Sequence, residues 1–69
     1  MAHFNGIYKH YKGGVYKVIG LGKHSETSED MVVYKSLKDG KVWVRPRGMF
    51  EEWLDDKNCW RFEFLGADF

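Results

Sequence analysis

Apolar residues in this chain fall in short runs, often with a period of two, broken by glycines and polar stretches, which is the pattern of strands rather than helices. Ile7-Tyr8-Lys9-His10-Tyr11 is a β-favouring run, and Lys12-Gly13-Gly14 supplies the positive-φ positions of a tight turn. Val15 to Lys23 reads as a second strand in which Gly20 and Gly22 predict a bulge or sharp bend. The polar stretch from His24 to Asp30 is a loop, and Met31 to Leu37 is a β-branched and aromatic strand. Asp39-Gly40 predicts a type I′ hairpin turn, followed by the strand Val42-Trp43-Val44-Arg45, which Pro46 stops. Met49 to Leu54 has helical spacing over about one and a half turns. Asp55 to Asn58 reads as a polar turn, and Trp60-Arg61-Phe62-Glu63-Phe64 alternates as a closing strand. This order predicts an all-β fold: a small five-stranded SH3-like barrel with one short helical or 3-10 turn before the last strand, residues 1–69 forming one domain and 1–5 a mobile tail.

A loop made of Asp39 and Gly40 alone sets a register with Leu37 opposite Val42, Lys35 opposite Val44 and Tyr34 opposite Arg45. One hairpin face then carries Val33, Leu37, Val42 and Val44, with Lys35 snorkelling at its edge. The other carries Val32, Tyr34, Ser36, Trp43 and Arg45. The aliphatic face is expected to form the core, leaving Tyr34, Trp43 and Arg45 as a recognition surface of large contact area and low entropy cost. The competing reading has Trp43 covering a second edge of the core and Arg45 paired with a C-terminal carboxylate.

The length permits a single core. Twelve aromatic residues supply much of its buried area, at about 150–250 Å² each. A lone cysteine, Cys59, and an N-terminus without a signal-peptide layout point to the cytoplasm, and no apolar run approaches the ~20 residues of a membrane span. Net charge is +1, but Lys9, Lys12, Lys17 and Lys23 crowd the first third while Glu51, Glu52, Asp55, Asp56, Glu63 and Asp68 crowd the last. That asymmetry reads as self-complementarity on folding or as a basic patch, and it falls short of what makes nucleic-acid binding the leading reading.

Catalytic chemistry is not supported. Adjacent residues such as His24-Ser25-Glu26 do not form a Ser-His-acid triad, and that loop reads as one that orders itself through side-chain to backbone hydrogen bonds or lines a pocket mouth. His3, His10, His24 and Cys59 lack metal-ligand spacing, and no glycine-rich phosphate loop or cofactor motif is present. Tyr8-Lys9-His10-Tyr11-Lys12 interleaves basic and aromatic residues, which suits either base stacking or a lysine-guarded edge strand.

Six segments in order, Gly6 to Gly13, Tyr16 to Val18, His24 to Thr27, Val32 to Tyr34, Trp43 to Pro46 with Met49-Phe50, and Arg61-Phe62, together resemble DUF1653, a family of small bacterial domains of unknown function. The resemblance spans about residues 6–64. It implies a compact β-barrel-like domain in a bacterial cytoplasm and no particular activity. Carried onto this chain it picks out His10, His24, Ser25, Glu26, Trp43 and Arg45, beside Tyr34, as the candidate ligand-binding set. The chain departs from the family pattern in its tight Asp39-Gly40 hairpin, where relatives allow a longer loop, and in Arg47-Gly48 before Met49.

The expectation is a non-catalytic binding module for an anionic or planar partner, a small molecule or a protein. The alternatives are self-assembly through an exposed strand edge or a patch at Phe50, Trp53 and Leu54, and weak nucleic-acid binding through the lysines.

Overall fold

The computed structural model describes residues 5–67. These form β1 (Gly6–His10), β2 (Val15–Lys23), β3 (Asp30–Ser36), β4 (Val42–Pro46), a single helical turn α1 (Arg47–Phe50), β5 (Trp53–Leu54), β6 (Cys59–Trp60) and β7 (Phe62–Ala67). Five strands make an antiparallel sheet in the order β4-β3-β2-β1-β7, and β5 and β6 make a separate ribbon. The all-β expectation holds, but the sheet is open: β4 and β7 are its two edges and are not paired with each other. The connection between them folds as its own helical turn and ribbon, and Phe50 of the helical turn packs into the core.

Local predictions hold where one residue type decides the backbone. Gly13 (φ 103°) and Gly14 (φ 85°) make the β1–β2 turn. The register of β2 against β3 shifts between Val18 and Gly20, the bulge expected near the paired glycines. β1 is not an edge strand, since β2 and β7 flank it on both sides. Of the expected tail, Asn5 donates its N–H to the Val18 carbonyl at 2.8 Å, and residues 1–4 lie outside the described residues.

The β3–β4 hairpin departs from expectation. Tyr34 pairs with Trp43 and Val32 with Arg45, two residues off the predicted register. The loop has four residues, Leu37 to Gly40, closed by Ser36 N–H to Lys41 O at 2.8 Å and Gly40 N–H to Ser36 O at 2.9 Å. Gly40 is left-handed (φ 75°) and Asp39 is not, so the turn is not type I′. The Ser36 hydroxyl and Asp39 carboxylate accept the Lys38 and Lys41 N–H groups at 3.3 and 3.0 Å, giving the longer loop its own backbone partners.

A slip of two preserves side-chain parity, so each face keeps its predicted members, but the faces are inverted. Val32, Tyr34 and Ser36 are buried, whereas Leu37, Val42 and Val44 are half-exposed. The inward face must pack on Phe50 and Phe62, and aromatics bury more area per residue than valines do. Tyr8, Val18, Val32, Tyr34, Phe50 and Phe62 form the core, with Tyr16 against it. Phe50 stacks on Phe62 at 4.2 Å, and Tyr8 and Tyr34 meet Phe50 at 5.0 and 5.3 Å.

The predicted helix is shorter than its spacing suggests. α1 ends at Phe50, and Trp53 and Leu54 turn instead into the ribbon, pairing with Trp60 and Cys59. The predicted closing strand is split at Arg61, whose N–H donates to Glu52 O at 2.9 Å while its carbonyl accepts from Tyr11 N–H at 3.0 Å. No helix of the described residues is long and apolar enough to cross a membrane.

Candidate functional site

The inward face that holds the core continues past it at one end. There Trp43 and Arg45 of β4, Tyr34 of β3, Tyr16 of β2, His10 of β1 and Phe62 of β7 enclose a cavity of about 190 Å³. Direct cross-strand pairing places these groups: His10 opposite Phe62, Tyr34 opposite Trp43, Val32 opposite Arg45. Phe62 is the hub. Its ring lies 4.8 Å from that of His10, 5.8 Å from Tyr16 and 5.4 Å from Tyr34, and the Arg45 guanidinium carbon sits 5.8 Å from its centroid.

Arg45 is the anomalous member. Its Nη1 is buried and has no hydrogen-bond partner among the described residues. None of the cavity-lining residues is acidic, and the ion pairs Lys23–Asp30, Arg47–Glu51 and Arg61–Glu52 do not involve Arg45. The pairing with a C-terminal carboxylate therefore finds no counterpart among the described residues; Asp68 and Phe69 lie outside them. Trp43 is neither sunk in the core nor fully displayed, at 50% exposure on the cavity wall.

His10 completes the electrostatics. Burial first, then the charges of Arg45, Arg61 and Lys12, hold its imidazole below the ordinary value of 6.5. Its Nδ1 accepts the Lys12 N–H at 3.1 Å, so in the neutral ring the proton sits on Nε2 and that nitrogen is a donor. The cavity thus presents a guanidinium, aromatic walls and an imidazole whose neutral form, favoured by the lowered pKa, donates from Nε2.

Four of the seven expected site residues, His10, Tyr34, Trp43 and Arg45, meet in this cavity; His24, Ser25 and Glu26 do not line it. Their loop is instead a second copy of the β3–β4 turn. His24 N–H donates to Glu29 O at 2.8 Å and Ser28 N–H to His24 O at 2.9 Å, the bonding pattern of Ser36, Lys41 and Gly40. His24 Nδ1 accepts from Glu26 N–H at 3.1 Å as Ser36 Oγ accepts from Lys38, and Thr27 Oγ1 accepts from Glu29 N–H at 3.2 Å as Asp39 accepts from Lys41. Ser28 holds the left-handed position (φ 61°) that Gly40 holds in the other loop. His24 and Thr27 are thus turn residues, bonding their own backbone as the self-ordering reading had it.

Tyr16 and Phe62, which sequence reading did not include, line the cavity by long-range pairing. Phe62 was legible as an inward residue of an alternating strand, but nothing local marks its contact with Arg45. The surface patch expected at Phe50, Trp53 and Leu54 does not form: Phe50 is at 1% exposure in the core and Leu54 is buried, leaving Trp53 exposed. Among the described residues no group of three His, Cys, Asp or Glu is placed to hold a metal; His3 lies outside them.

Similarity to other proteins agrees with this fold. A crystal structure of a DUF1653 protein from Bordetella bronchiseptica superposes with a TM-score of 0.79 at 31% sequence identity, covering 94% of this chain and 90% of that one. Among curated proteins, none matches the chain. The family model described as protein of unknown function (DUF1653) matches residues 6–64, most of the chain, and the protein therefore belongs to the DUF1653 family.

Proposed function

We propose that this domain is a non-catalytic binding module whose Arg45 cavity captures an anionic group carried on a planar or apolar body. The observation that supports it is the buried Nη1 of Arg45, which has no hydrogen-bond partner among the described residues. Leaving such a donor unsatisfied costs about 1–3 kcal/mol, more when the group is charged. A fold that keeps this penalty beside an open cavity is arranged for a partner that arrives from outside. A carboxylate or phosphate suits the planar fork of a guanidinium, and Tyr16, Tyr34, Trp43 and Phe62 give it a weakly solvated wall. The cavity, about 190 Å³, is smaller than the roughly 300–1,000 Å³ of sites that enclose a whole small molecule, so it suits the head of a ligand rather than all of it.

The test is an NMR titration with acetate, benzoate and inorganic phosphate, following the Arg45 Nε–H and the Trp43 indole N–H. Saturable shifts at both support the reading. Both signals unmoved by all three anions at tens of millimolar would remove it.

A further inference from the structure

None of the three tryptophans is in the core: Trp43, Trp53 and Trp60 are 50%, 42% and 52% exposed. For a chain this short, leaving its largest apolar side chains half in water is a sizeable unmet burial, and such residues concentrate where ligands dock. Trp43 belongs to the Arg45 cavity. The other two wall a separate cleft of about 400 Å³, between the β5–β6 ribbon and the β1–β7 pair. Tyr11 joins them there with Lys9, Asn58 and Glu63, and the cleft shares His10 with the Arg45 cavity.

Cross-strand pairing explains part of this. Trp53 and Trp60 face each other at 5.0 Å and 80°, an edge-to-face contact that helps hold strands of two residues each. Edge-to-face contact uses the face of one indole and the rim of the other, so open aromatic surface remains for a further ring. The polar groups that share the cleft, an ammonium, an amide and a carboxylate, match the mixed donors and acceptors along the edge of a heteroaromatic ring better than they match a hydrocarbon.

We propose that the two clefts are halves of one site for a small nucleotide: its base lies against Trp53, Trp60 and Tyr11, its phosphate at Arg45, and His10 stands between. The anionic half rests on the reading of Arg45 given above, and the base half does not. Charge near His10 favours the phosphate, since Arg45, Arg61 and Lys12 all act on that ring. Charge on the ribbon disfavours a polynucleotide, because Asp55, Asp56 and Glu63 are exposed on it and beside it and would repel a continuing strand. The occupant is therefore a free mononucleotide. Its cleft volume lies inside the range of small-molecule sites.

The experiment follows the three indole N–H signals and the Arg45 Nε–H while adenosine, ribose 5-phosphate, AMP and a short oligo(dA) are titrated in turn. Adenosine is expected to move Trp53 and Trp60, ribose 5-phosphate to move Trp43 and Arg45, and AMP to move all four while binding at least about tenfold more tightly than either fragment. Trp60→Leu should abolish the adenosine response. Because that change also loosens the ribbon, Lys9→Gln, at an exposed position, is the second variant and should weaken adenosine without moving the ribose 5-phosphate response. Adenosine and AMP silent at Trp53 and Trp60 would overturn the proposal and leave the Arg45 reading intact if ribose 5-phosphate still acts. Adenosine active with ribose 5-phosphate silent would refute the Arg45 half and the joined site. AMP no tighter than adenosine, or oligo(dA) tighter than AMP, would equally overturn a mononucleotide spanning both clefts.

Discussion

Replacing Arg45 with Met should stabilise the free protein while abolishing its response to anions. The stem of methionine preserves most of the apolar packing that the arginine methylenes make, and it removes the buried donor. Relief of an unsatisfied N–H is worth about 1–3 kcal/mol. Against this stands the lost attraction between the guanidinium and Phe62, at 5.8 Å near the outer limit of such contacts and worth about 0.5–1 kcal/mol. The difference is a gain of roughly 0–2.5 kcal/mol, and in a domain of this size each kcal/mol moves Tm by about 4–8 °C. Urea and thermal unfolding followed by circular dichroism measure it, with the phosphate titration run in parallel on both proteins. A Met variant that loses more than about 1 kcal/mol would show that Arg45 is held by native contacts and would remove the reading of its Nη1 as a donor kept for an anion.

Three further outcomes follow from the same geometry. Because His10 is held below 6.5 in the folded state, the unfolded chain takes up the proton first as pH falls; stability from this residue is full above about 6.5 and is lost as pH drops through the folded value. A His10 ring-proton titration should therefore have its midpoint below 6.5, rising when phosphate is bound, and a midpoint at or above 6.5 in the free protein contradicts the assignment. Phe50→Ala removes the ring stacked on Phe62 and should cost about 3–5 kcal/mol, a large part of the roughly 3–10 kcal/mol available to a chain of this length, so urea unfolding should show a chain near or beyond its stability limit. Ser28→Gly should stabilise by about 0.5–1 kcal/mol by relieving the left-handed strain in the first loop, whereas Gly40→Ala should destabilise by about 1 kcal/mol, both read from urea midpoints; no change in either would refute the equivalence of the two loops.

Much of the candidate cavity was legible because period-two alternation is local. It put Tyr34, Trp43 and Arg45 on one face, and that grouping survived a register error, since the slip was by an even number of residues. What failed was the choice of inward face, because the partners that decide it, Phe50 and Phe62, lie on elements far along the chain. His24, Ser25 and Glu26 lie away from the Arg45 cavity for a related reason. Polar residues in a loop have the same composition whether they wait for a ligand or bond their own backbone, and only the hydrogen bonds of His24 and Thr27 separate the two.

The amino-acid sequence by itself determined what depends on neighbours along the backbone: the main strand runs, the Gly13-Gly14 turn, the bulge after Val18 and the division of each strand into two faces. Tertiary structure alone decided which face turned inward, that the sheet stayed open, that Trp53 and Trp60 met across a ribbon, and that Arg45 Nη1 was left without a hydrogen-bond partner among the described residues. The physical reason is that alternation and φ preference are fixed within a few residues, whereas burial and hydrogen-bond satisfaction are properties of groups that meet only when distant segments pack.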